Sequence, residues 1–253
     1  MNAFIYAAGR ATRLGPAYAN SPKILIEIGG RSLLDWHIQR LASVGVRKIF
    51  IVTGHVRKAV ASVLPALRSA HNVELDELVN LDFNEGSVLS VAASLPLVLA
   101  CDCPVLMMDG DVLYPSEMLR RLIDSQHPTC LLMDCNYSTE DDDPVLVPMR
   151  GGQPFDFSKG WRGEADHVGE SIGFFKISPA DFPLLAEETR RRAAGAGRRD
   201  SYDDVVRTMV VAGRFGAEDV TGLPWTEVDF PKDVEFARSK VLPAIQRREL
   251  MIR

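Results

Sequence analysis

MNAFIYAAGRATRLGPAYANSPKILIEIGG, residues 1–30, runs from an apolar segment directly into a loop of small and basic residues. The apolar residues 3–7 predict a buried strand. In open α/β sheets, ligands bind beyond the carboxyl ends of the strands, and the loop at 8–15 follows such an end. The sequence therefore predicts a ligand-binding loop immediately after the first strand.

The residue types of this loop suit a polyphosphate. Ala8 and Gly9 allow the backbone to approach a ligand closely, and backbone N–H groups there could cradle an anion. Arg13 can fork onto phosphate oxygens, Lys23 adds a compact charge, and Arg10 is a secondary candidate. A loop of Gly and Arg is also typical of an ordinary surface turn. It matches neither G-x-G-x-x-G nor the P-loop pattern.

Outward from this loop, strand and helix patterns alternate. Strands are predicted at 3–7, 47–53, 73–79, 104–111 and 129–134, and helices at 33–44, 56–70, 87–99 and 115–125. Ser32 is expected to cap the helix at 33–44. Such alternation predicts crossover units and a largely parallel sheet.

After about residue 135 the pattern changes to strands in succession, at 144–149 and 169–177, which indicates a mixed sheet. We expect an α/β fold, Rossmann-like, with three α/β/α layers and a mixed, mostly parallel sheet. One domain, 1–253, is expected, with a nucleotide-binding half at 1–134 and an acceptor-binding half at 135–240. A helical tail at 241–253 could pack on its own domain or on a partner, including a second copy in a homo-oligomer.

Composition excludes several classes of protein. The 253 residues carry a net charge of −5, which argues against a nucleic-acid binder. No apolar run reaches the length of a membrane-spanning helix, and the N-terminus lacks a signal pattern. The four cysteines lack the paired spacing of a zinc site. A cytoplasmic protein without membrane contact or structural zinc is predicted.

Two acidic pairs are candidate metal ligands. Asp109 and Asp111 lie in MMDGDVLY, and Glu227 and Asp229 lie in WTEVDF, each at a predicted strand end. Period-two alternation would place the members of each pair on one side if the strands continued through them. Mg²⁺ is usually bound by carboxylates together with phosphate oxygens. Acidic residues at strand ends also serve as turn or helix caps.

Three segments together resemble a known superfamily. AAGRATRLGP (7–16), SPKILIEIGGRSLLDWHIQRL (21–41) and GVRKIFIVTGH (45–55) resemble the nucleotidyltransferases that condense nucleoside triphosphates with phosphorylated sugars or alcohols. One departure is Ala11, where the pattern usually has glycine. If that position needs a positive φ, alanine would be strained there.

The resemblance implies roles for named residues. Arg13 and Lys23 would be catalytic, and Asp111 and Asp229 would share Mg²⁺. Asp109 would support the two metal ligands or orient a ribose hydroxyl. The segment after the third strand would contact base and ribose through Asn84, Glu85, Gly86 and Ser87, although Asn84 or Ser87 could equally be a plain helix cap.

The segment GESIGFFKISP (169–179) looks like the acceptor-binding strand of the phosphocholine cytidylyltransferase-like group. The resemblance implies that Glu170 and Glu227 face the acceptor. Trp161 and Trp225 could form an aromatic wall for a quaternary ammonium, or could simply pack in the core.

The function so predicted is a Mg²⁺-dependent transfer from a nucleoside triphosphate, CTP favoured, to a small phosphorylated alcohol, phosphocholine favoured, with release of pyrophosphate. The base preference comes from the resemblance alone. Inositol phosphate, 2-aminoethylphosphonate and sugar 1-phosphates stay open as acceptors. A glycosyltransferase of related architecture, using DGD as its metal motif, and a non-catalytic nucleotide-sensing subunit are the competing classes.

Overall fold

The helices and strands follow the predicted alternation along the chain. A computed structural model describes residues 1–18, 21–137 and 144–251. The strands are β1 (Asn2–Ala7), β2 (Glu27–Ile28), β3 (Arg31–Ser32), β4 (Lys48–Thr53), β5 (Glu74–Val79), β6 (Val105–Asp109), β7 (Val112–Leu113), β8 (Cys130–Asp134), β9 (Val145–Arg150), β10 (Gln153–Pro154), β11 (Ser158–Lys159), β12 (His167–Ile177), β13 (Gly216–Asp219) and β14 (Thr226–Glu227). The α-helices are α1 (Leu33–Ser43), α2 (Arg57–His71), α3 (Val88–Leu99), α4 (Ser116–Asp124), α5 (Phe182–Ala193), α6 (Asp203–Val211), α7 (Pro231–Phe236) and α8 (Leu242–Met251).

Helix α1 shows how local sequence sets these bounds. Ser32 caps it, because its Oγ accepts a hydrogen bond from the backbone N–H of Asp35 at 3.1 Å. The chain leaves the helix at Gly45, whose φ of +86° suits glycine. The predicted helix at 33–44 and its cap are confirmed.

The chain forms two compact units. The first contains Met1–Asn84, Asp109–Arg120 and the residues from Leu223 onward, and the second contains Glu85–Met108 and Arg121–Gly222. These bounds differ from the predicted halves at 1–134 and 135–240, because the chain enters the second unit twice. Treatment of the chain as one functional domain stays a prediction.

In the first unit, three parallel strands lie in the order β1-β4-β5. The middle of β1 is fully buried at Ala3, Phe4 and Ile5. The Phe4 ring stacks on the Phe50 ring of β4, with centroids 4.9 Å apart. The buried strand therefore ends where the basic loop begins, at the carboxyl edge of parallel strands, as the sequence predicted.

In the second unit, β12 is the central strand. It pairs antiparallel with β6, β8 and β9, while β13 runs parallel to β8. Its register with β8 shifts between Ser171 and Phe175, where Gly173 has a φ of +73°. Parallel pairs and these antiparallel pairs, flanked by helices, confirm the predicted α/β fold with a mixed sheet.

The C-terminal helix α8 packs on its own unit. Leu242 and Ile245 are buried, and the Arg248 guanidinium Nε donates to Glu117 Oε2 at 2.6 Å. The acidic segment STEDDD (138–143), for which the sequence predicts a turn, and the last two tail residues lie outside the described residues. Among the described helices, none is long and apolar enough to cross a membrane.

Candidate active site

A cavity of about 250 Å³ opens at the carboxyl end of β1 in the first unit. It is lined by Tyr6, Ala7, residues 9–13, Lys23, Ile24, Gly110, Asp111 and Asp229. The predicted cations Arg13 and Lys23 and the predicted metal ligands Asp111 and Asp229 thus share one cavity.

The loop after β1 is held in a strained shape. Ala11 has φ 53° and ψ 35°, in the left-handed region that alanine avoids. A 3₁₀ turn at Thr12–Leu14 follows, the Leu14 N–H donates to the Ala11 carbonyl at 3.2 Å, and Leu14 itself is buried. Position 11, where the superfamily pattern usually has glycine, therefore does have the positive φ that strains alanine. The strain is maintained because the buried Leu14 and the turn fix the loop.

Lys23 lies between two carboxylates. Its Nζ is 2.6 Å from Asp111 Oδ2 and also forms an ion pair with Asp229. Burial alone would lower the pKa of Lys23, but the two carboxylates outweigh burial and raise it above its ordinary value. The ammonium group is therefore a fixed positive charge in the cavity.

Arg13 adds a second, more accessible charge. Its Nη2 is 2.8 Å from Asp229 Oδ2, and its side chain is 54% exposed. The guanidinium also lies 5.5 Å from the centroid of the Phe230 ring. Arg13 is thus placed at the wall of the cavity, with its fork accessible to a ligand.

Asp111, which lines the cavity, also belongs to a group of three acids. One carboxylate oxygen from each of Asp109, Asp111 and Glu227 lies within 4.8 Å of the others. The backbone fixes this grouping: the Gly110 N–H donates to the Tyr6 carbonyl at 3.1 Å, and the Val228 N–H donates to the Asp111 carbonyl at 3.0 Å.

The predicted strands do not continue through the acidic pairs, so strand alternation does not bring the members of each pair together. β6 ends at Asp109 and the chain turns at Gly110, while β14 ends at Glu227. Asp229 lies beyond that strand, because its N–H and that of Phe230 donate to the Asp233 carboxylate that caps α7. The side chains converge through turns, not through strand periodicity.

The acid group is suited to a cation. Asp111 Oδ1 is buried and has no hydrogen-bond partner among the described residues. A buried carboxylate oxygen in that condition is costly unless a charge compensates it. The structure therefore groups Asp111 with Asp109 and Glu227, and links it to Asp229 through Lys23. Which of these carboxylates hold a metal stays a prediction.

Asn84 and Trp225 are also in the first unit. Arg10 Nη1 donates to Asn84 Oδ1 at 3.5 Å, so two predicted nucleotide-binding residues are in contact. Trp225 immediately precedes β14 and therefore lies two residues from Glu227. Its predicted part in an acceptor wall stays a prediction.

In the second unit, residues 85–87 are clamped by the segment 198–202. Arg198 donates to both carboxylate oxygens of Glu85, at 2.9 and 2.7 Å, and this hydrogen bonding lowers the pKa of Glu85. The Gly86 N–H donates to the Arg198 carbonyl at 2.8 Å, and a side chain at Gly86 would collide with that backbone. Sequence reasoning missed Arg198, because a basic run beside acids is typical of a solvated surface.

The structure separates two interpretations of Ser87. It stands at the N-cap position of α3, yet its side chain makes no capping hydrogen bond. Instead, Ser87 Oγ accepts a hydrogen bond from the Tyr202 N–H at 3.0 Å. The plain helix-cap interpretation is therefore wrong for Ser87, and its nucleotide contact stays a prediction.

The remaining acceptor candidates also lie in the second unit. The Trp161 ring meets the Phe155 ring edge-on, with centroids 5.9 Å apart. Glu170 lies on β12, paired with Asp134 of β8 and Leu146 of β9. Their acceptor roles stay predictions.

Comparison with known proteins adds a family to this geometry. The model of the MobA-like NTP transferase domain matches residues 3–173. The chain belongs to this family. A curated relative, the CMP-5'-(3-aminopropyl)phosphonate synthase of Streptomyces rubellomurinus, is 27% identical over 99% of the chain. The chain spans 40% and 52% of the lengths of the two curated relatives that it matches over 99% and 96% of its own length.

Solved structures share the fold over nearly the whole chain. The inositol-1-phosphate CTP transferase from T. maritima superimposes with a TM-score of 0.78 at 19% identity, covering 97% of this chain and 95% of its own. The CTP:phosphocholine cytidylyltransferase from Streptococcus pneumoniae gives 0.74 at 18% identity, covering 92% and 96%. The predicted superfamily and the nucleotide-diphospho-sugar transferase type of fold are confirmed.

Proposed function

We propose that this protein transfers a cytidylyl group from CTP to a small phosphorylated or phosphonate-bearing molecule and releases pyrophosphate. The observation that carries the proposal is the convergence of Arg13 and Lys23 with Asp111 and Asp229 in one cavity at the end of β1. Cations suit a triphosphate, and the acids beside them would suit a divalent cation that neutralises phosphate charge. The family match and the cytidylyl chemistry named in the relatives support the same reaction.

The acceptor's own phosphate or phosphonate oxygen would attack the α-phosphorus in line. One P–O bond forms to the acceptor, the bond to the β-phosphate breaks, and pyrophosphate departs with that electron pair. A phosphate dianion is already a nucleophile, so the site needs no strong general base. Arg13, Lys23 and the N–H groups of the loop at 8–15 would bind and orient the triphosphate and neutralise the leaving pyrophosphate.

The acids fit a divalent cation, with Mg²⁺ as the proposed ion. Asp109, Asp111 and Glu227 offer oxygens within 4.8 Å of one another, and Asp111 Oδ1 is buried without a partner among the described residues. Asp229 would join Asp111 if Lys23 moved onto the phosphates. When bound, Mg²⁺ supplies neutralisation of phosphate charge and polarises the α-phosphate.

For the acceptor, we favour a small molecule that carries an amine or quaternary ammonium beside its phosphate or phosphonate. The 27% identical relative is named for an aminopropylphosphonate product, and a structural neighbour is named for phosphocholine. Trp225, which lies in the same unit as the cavity, would supply an aromatic face for such a cation. Phosphocholine and aminoalkylphosphonates are therefore the first compounds to test.

Inositol 1-phosphate is a second candidate acceptor. The structural neighbour with a TM-score of 0.78 is named for that substrate. A polyol needs hydrogen-bonding groups and no aromatic cation site, so substitution of Trp225 separates the two candidates.

The proposal is tested by pyrophosphate release from each of four nucleoside triphosphates with Mg²⁺. The acceptor panel is phosphocholine, 2-aminoethylphosphonate, 3-aminopropylphosphonate, inositol 1-phosphate and glucose 1-phosphate. We expect acceptor-dependent release with CTP above the other nucleotides. Consumption of a nucleotide-sugar without pyrophosphate would instead support a glycosyltransferase, and tight nucleotide binding without turnover would support a sensing subunit. Either result would contradict the proposal.

A further inference from the structure

A buried polar cluster lies next to the turn Asp109–Gly110–Asp111, which we call the acidic turn. It consists of His37 and Arg40 of α1 and Tyr114, which are 0%, 2% and 1% exposed. None of these three residues lines the cavity. The spacing of His37 along α1 fits the buried face of that helix.

His37 lies against the acidic turn and against Tyr114, which follows that turn. Its Nδ1 lies 3.2 Å from the hydroxyl of Tyr114, three residues after Asp111. Its ring also faces the backbone carbonyl of Gly110, the residue between Asp109 and Asp111. A side chain at Gly110 would approach the Tyr6 carbonyl and Ile24 to 3.0 Å, and the Gly110 N–H donates to that carbonyl at 3.1 Å. Gly110 is therefore closely packed.

The protonation state of His37 suits this place. Burial, and then the charge of Arg40, lower the pKa of His37 to about 3, while the Gly110 carbonyl opposes the fall in part. A neutral imidazole offers one donor and one acceptor nitrogen. Nδ1 meets the Tyr114 hydroxyl, while the buried Nε2 makes no hydrogen bond to the described residues. The cluster thus keeps its hydrogen-bonding pattern at any ordinary assay pH.

Arg40 makes the cluster costly to maintain. Its guanidinium lies 4.5 Å from the Trp36 ring and 5.5 Å from the Tyr114 ring. Its Nη1 donates to the Trp36 carbonyl at 3.3 Å, yet Nε and Nη2 have no hydrogen-bond partner among the described residues. Apolar residues of similar volume would fill this space at lower cost, so the cluster is better explained by the turn that it supports.

We propose that His37 is a positioning residue that, with Tyr114, holds the turn Asp109–Gly110–Asp111 at the spacing a divalent cation needs. His37 itself touches no substrate. The inference rests on the proposed metal-dependent transfer, but it concerns metal affinity and not turnover. Neighbouring carboxylates repel one another, and a closely packed backbone would keep them together before a metal binds.

The test measures Mn²⁺ binding by electron paramagnetic resonance in the full chain, for H37Q and for Y114F. Each variant should weaken Mn²⁺ binding about tenfold, the lower end of the effect of removing a group that orients metal ligands. CTP affinity measured without metal should stay unchanged, because the loop at 8–15 and Lys23 are untouched. A general loss of structure would lower both affinities, so the split identifies positioning.

The matched control is H71Q. His71 Nε2 pairs with Asp35 Oδ1 of α1 at 2.6 Å, and neither residue contacts the acidic turn by any hydrogen bond that the structure shows. This variant should leave Mn²⁺ affinity unchanged. If H37Q does not fold, Y114F decides, since it removes only a hydroxyl. Unchanged Mn²⁺ binding in folded Y114F, or equal losses of Mn²⁺ and CTP affinity, would overturn the inference, whether or not cytidylyl transfer is found.

Discussion

Two charged networks of this molecule, one in each unit, differ in how completely their charges are paired. In the second unit, Glu188 is buried and accepts hydrogen bonds from Arg191, Arg192 and Thr208. In the first unit, Lys23 and Arg13 pair with Asp111 and Asp229, yet Asp111 Oδ1 is buried without a hydrogen-bond partner among the described residues.

The difference separates structure from function. A fully satisfied network holds helices together and leaves nothing for a ligand to complete. An incompletely satisfied group at a cavity carries an electrostatic cost that a bound cation or phosphate removes. On this basis we infer a structural role for the Glu188 network and propose the Lys23–Asp111 group as the site of chemistry.

The largest expected effect is that of K23A on turnover. Loss of the buried ammonium removes a charge that stabilises the leaving pyrophosphate and leaves Asp111 and Asp229 to repel each other. We expect pyrophosphate release to fall about 10²–10³-fold, the range found when one stabilising donor is removed. Circular dichroism would show that the variant is folded.

The control is K48A. Lys48 forms a half-exposed ion pair with Glu74, at 3.7 Å, and such pairs contribute roughly 0–1 kcal/mol. Its turnover should match that of the parent. If folded K23A retained full activity, the assignment of Lys23 to the site would be wrong.

In contrast to K23A, E188A should mainly lower the free energy of unfolding. Its loss of turnover should be much smaller than that of K23A. Removal of the buried carboxylate deletes the hydrogen bonds from Arg191, Arg192 and Thr208 and leaves Arg192 its hydrogen bond to Asp200. Loss of hydrogen bonds to a charged group typically costs roughly 1.5–3 kcal/mol. Urea unfolding followed by tryptophan fluorescence measures the change. A stable E188A with turnover reduced as strongly as K23A would reverse the contrast between the two networks.

The stability lost in E188A should depend on pH. Hydrogen bonds from Arg191 and Arg192 lower the pKa of Glu188 to about 2, against about 4.3 in an unfolded chain. The contribution of Glu188 is therefore complete above pH of about 4.3 and disappears as the pH falls towards 2. The difference in unfolding free energy between parent and E188A should shrink over that range. A difference independent of pH would contradict the pairing.

The smallest expected effect is that of A11G. Glycine relieves a left-handed alanine, worth roughly 1–2 kcal/mol, and loses about 0.5–1 kcal/mol through greater freedom when unfolded. We expect a net gain in stability of about 0.5–1 kcal/mol by chemical denaturation. A42G within α1 is the control and should lose about 1 kcal/mol. A destabilised A11G would mean that the loop does not need its positive φ.

Much of the fold followed from local sequence. Apolar periodicity and the Ser32 cap placed α1, and apolar runs placed β1, β4 and β8 to within one or two residues. β13 (Gly216–Asp219) was missed because GAED has neither strand alternation nor β-branched residues, and it pairs through its backbone with the buried β8. The segment at 225–230 was predicted as one strand, yet it forms only β14, since Asp233 captures the next backbone N–H groups.

The sequence predicted which residues belong to the site better than it predicted how those residues are arranged. The residue types of the loop and the acids indicated that Arg13, Lys23, Asp111 and Asp229 belong together, and the cavity contains all four. That Lys23 would bridge the two aspartates, or that His37 would reach Gly110, depends on contacts across more than seventy residues of chain. No local pattern carries such information.

The central claim is that the cations and acids of the first unit serve nucleotidyl transfer. It is tested most directly by ³¹P NMR of CTP and 3-aminopropylphosphonate, and in parallel phosphocholine, with Mg²⁺ and the parent protein or K23A. The account predicts equal amounts of pyrophosphate and a new cytidylyl-linked product with the parent, and neither with K23A. Unchanged CTP with both acceptors, or hydrolysis to CMP without a linked product, would contradict it.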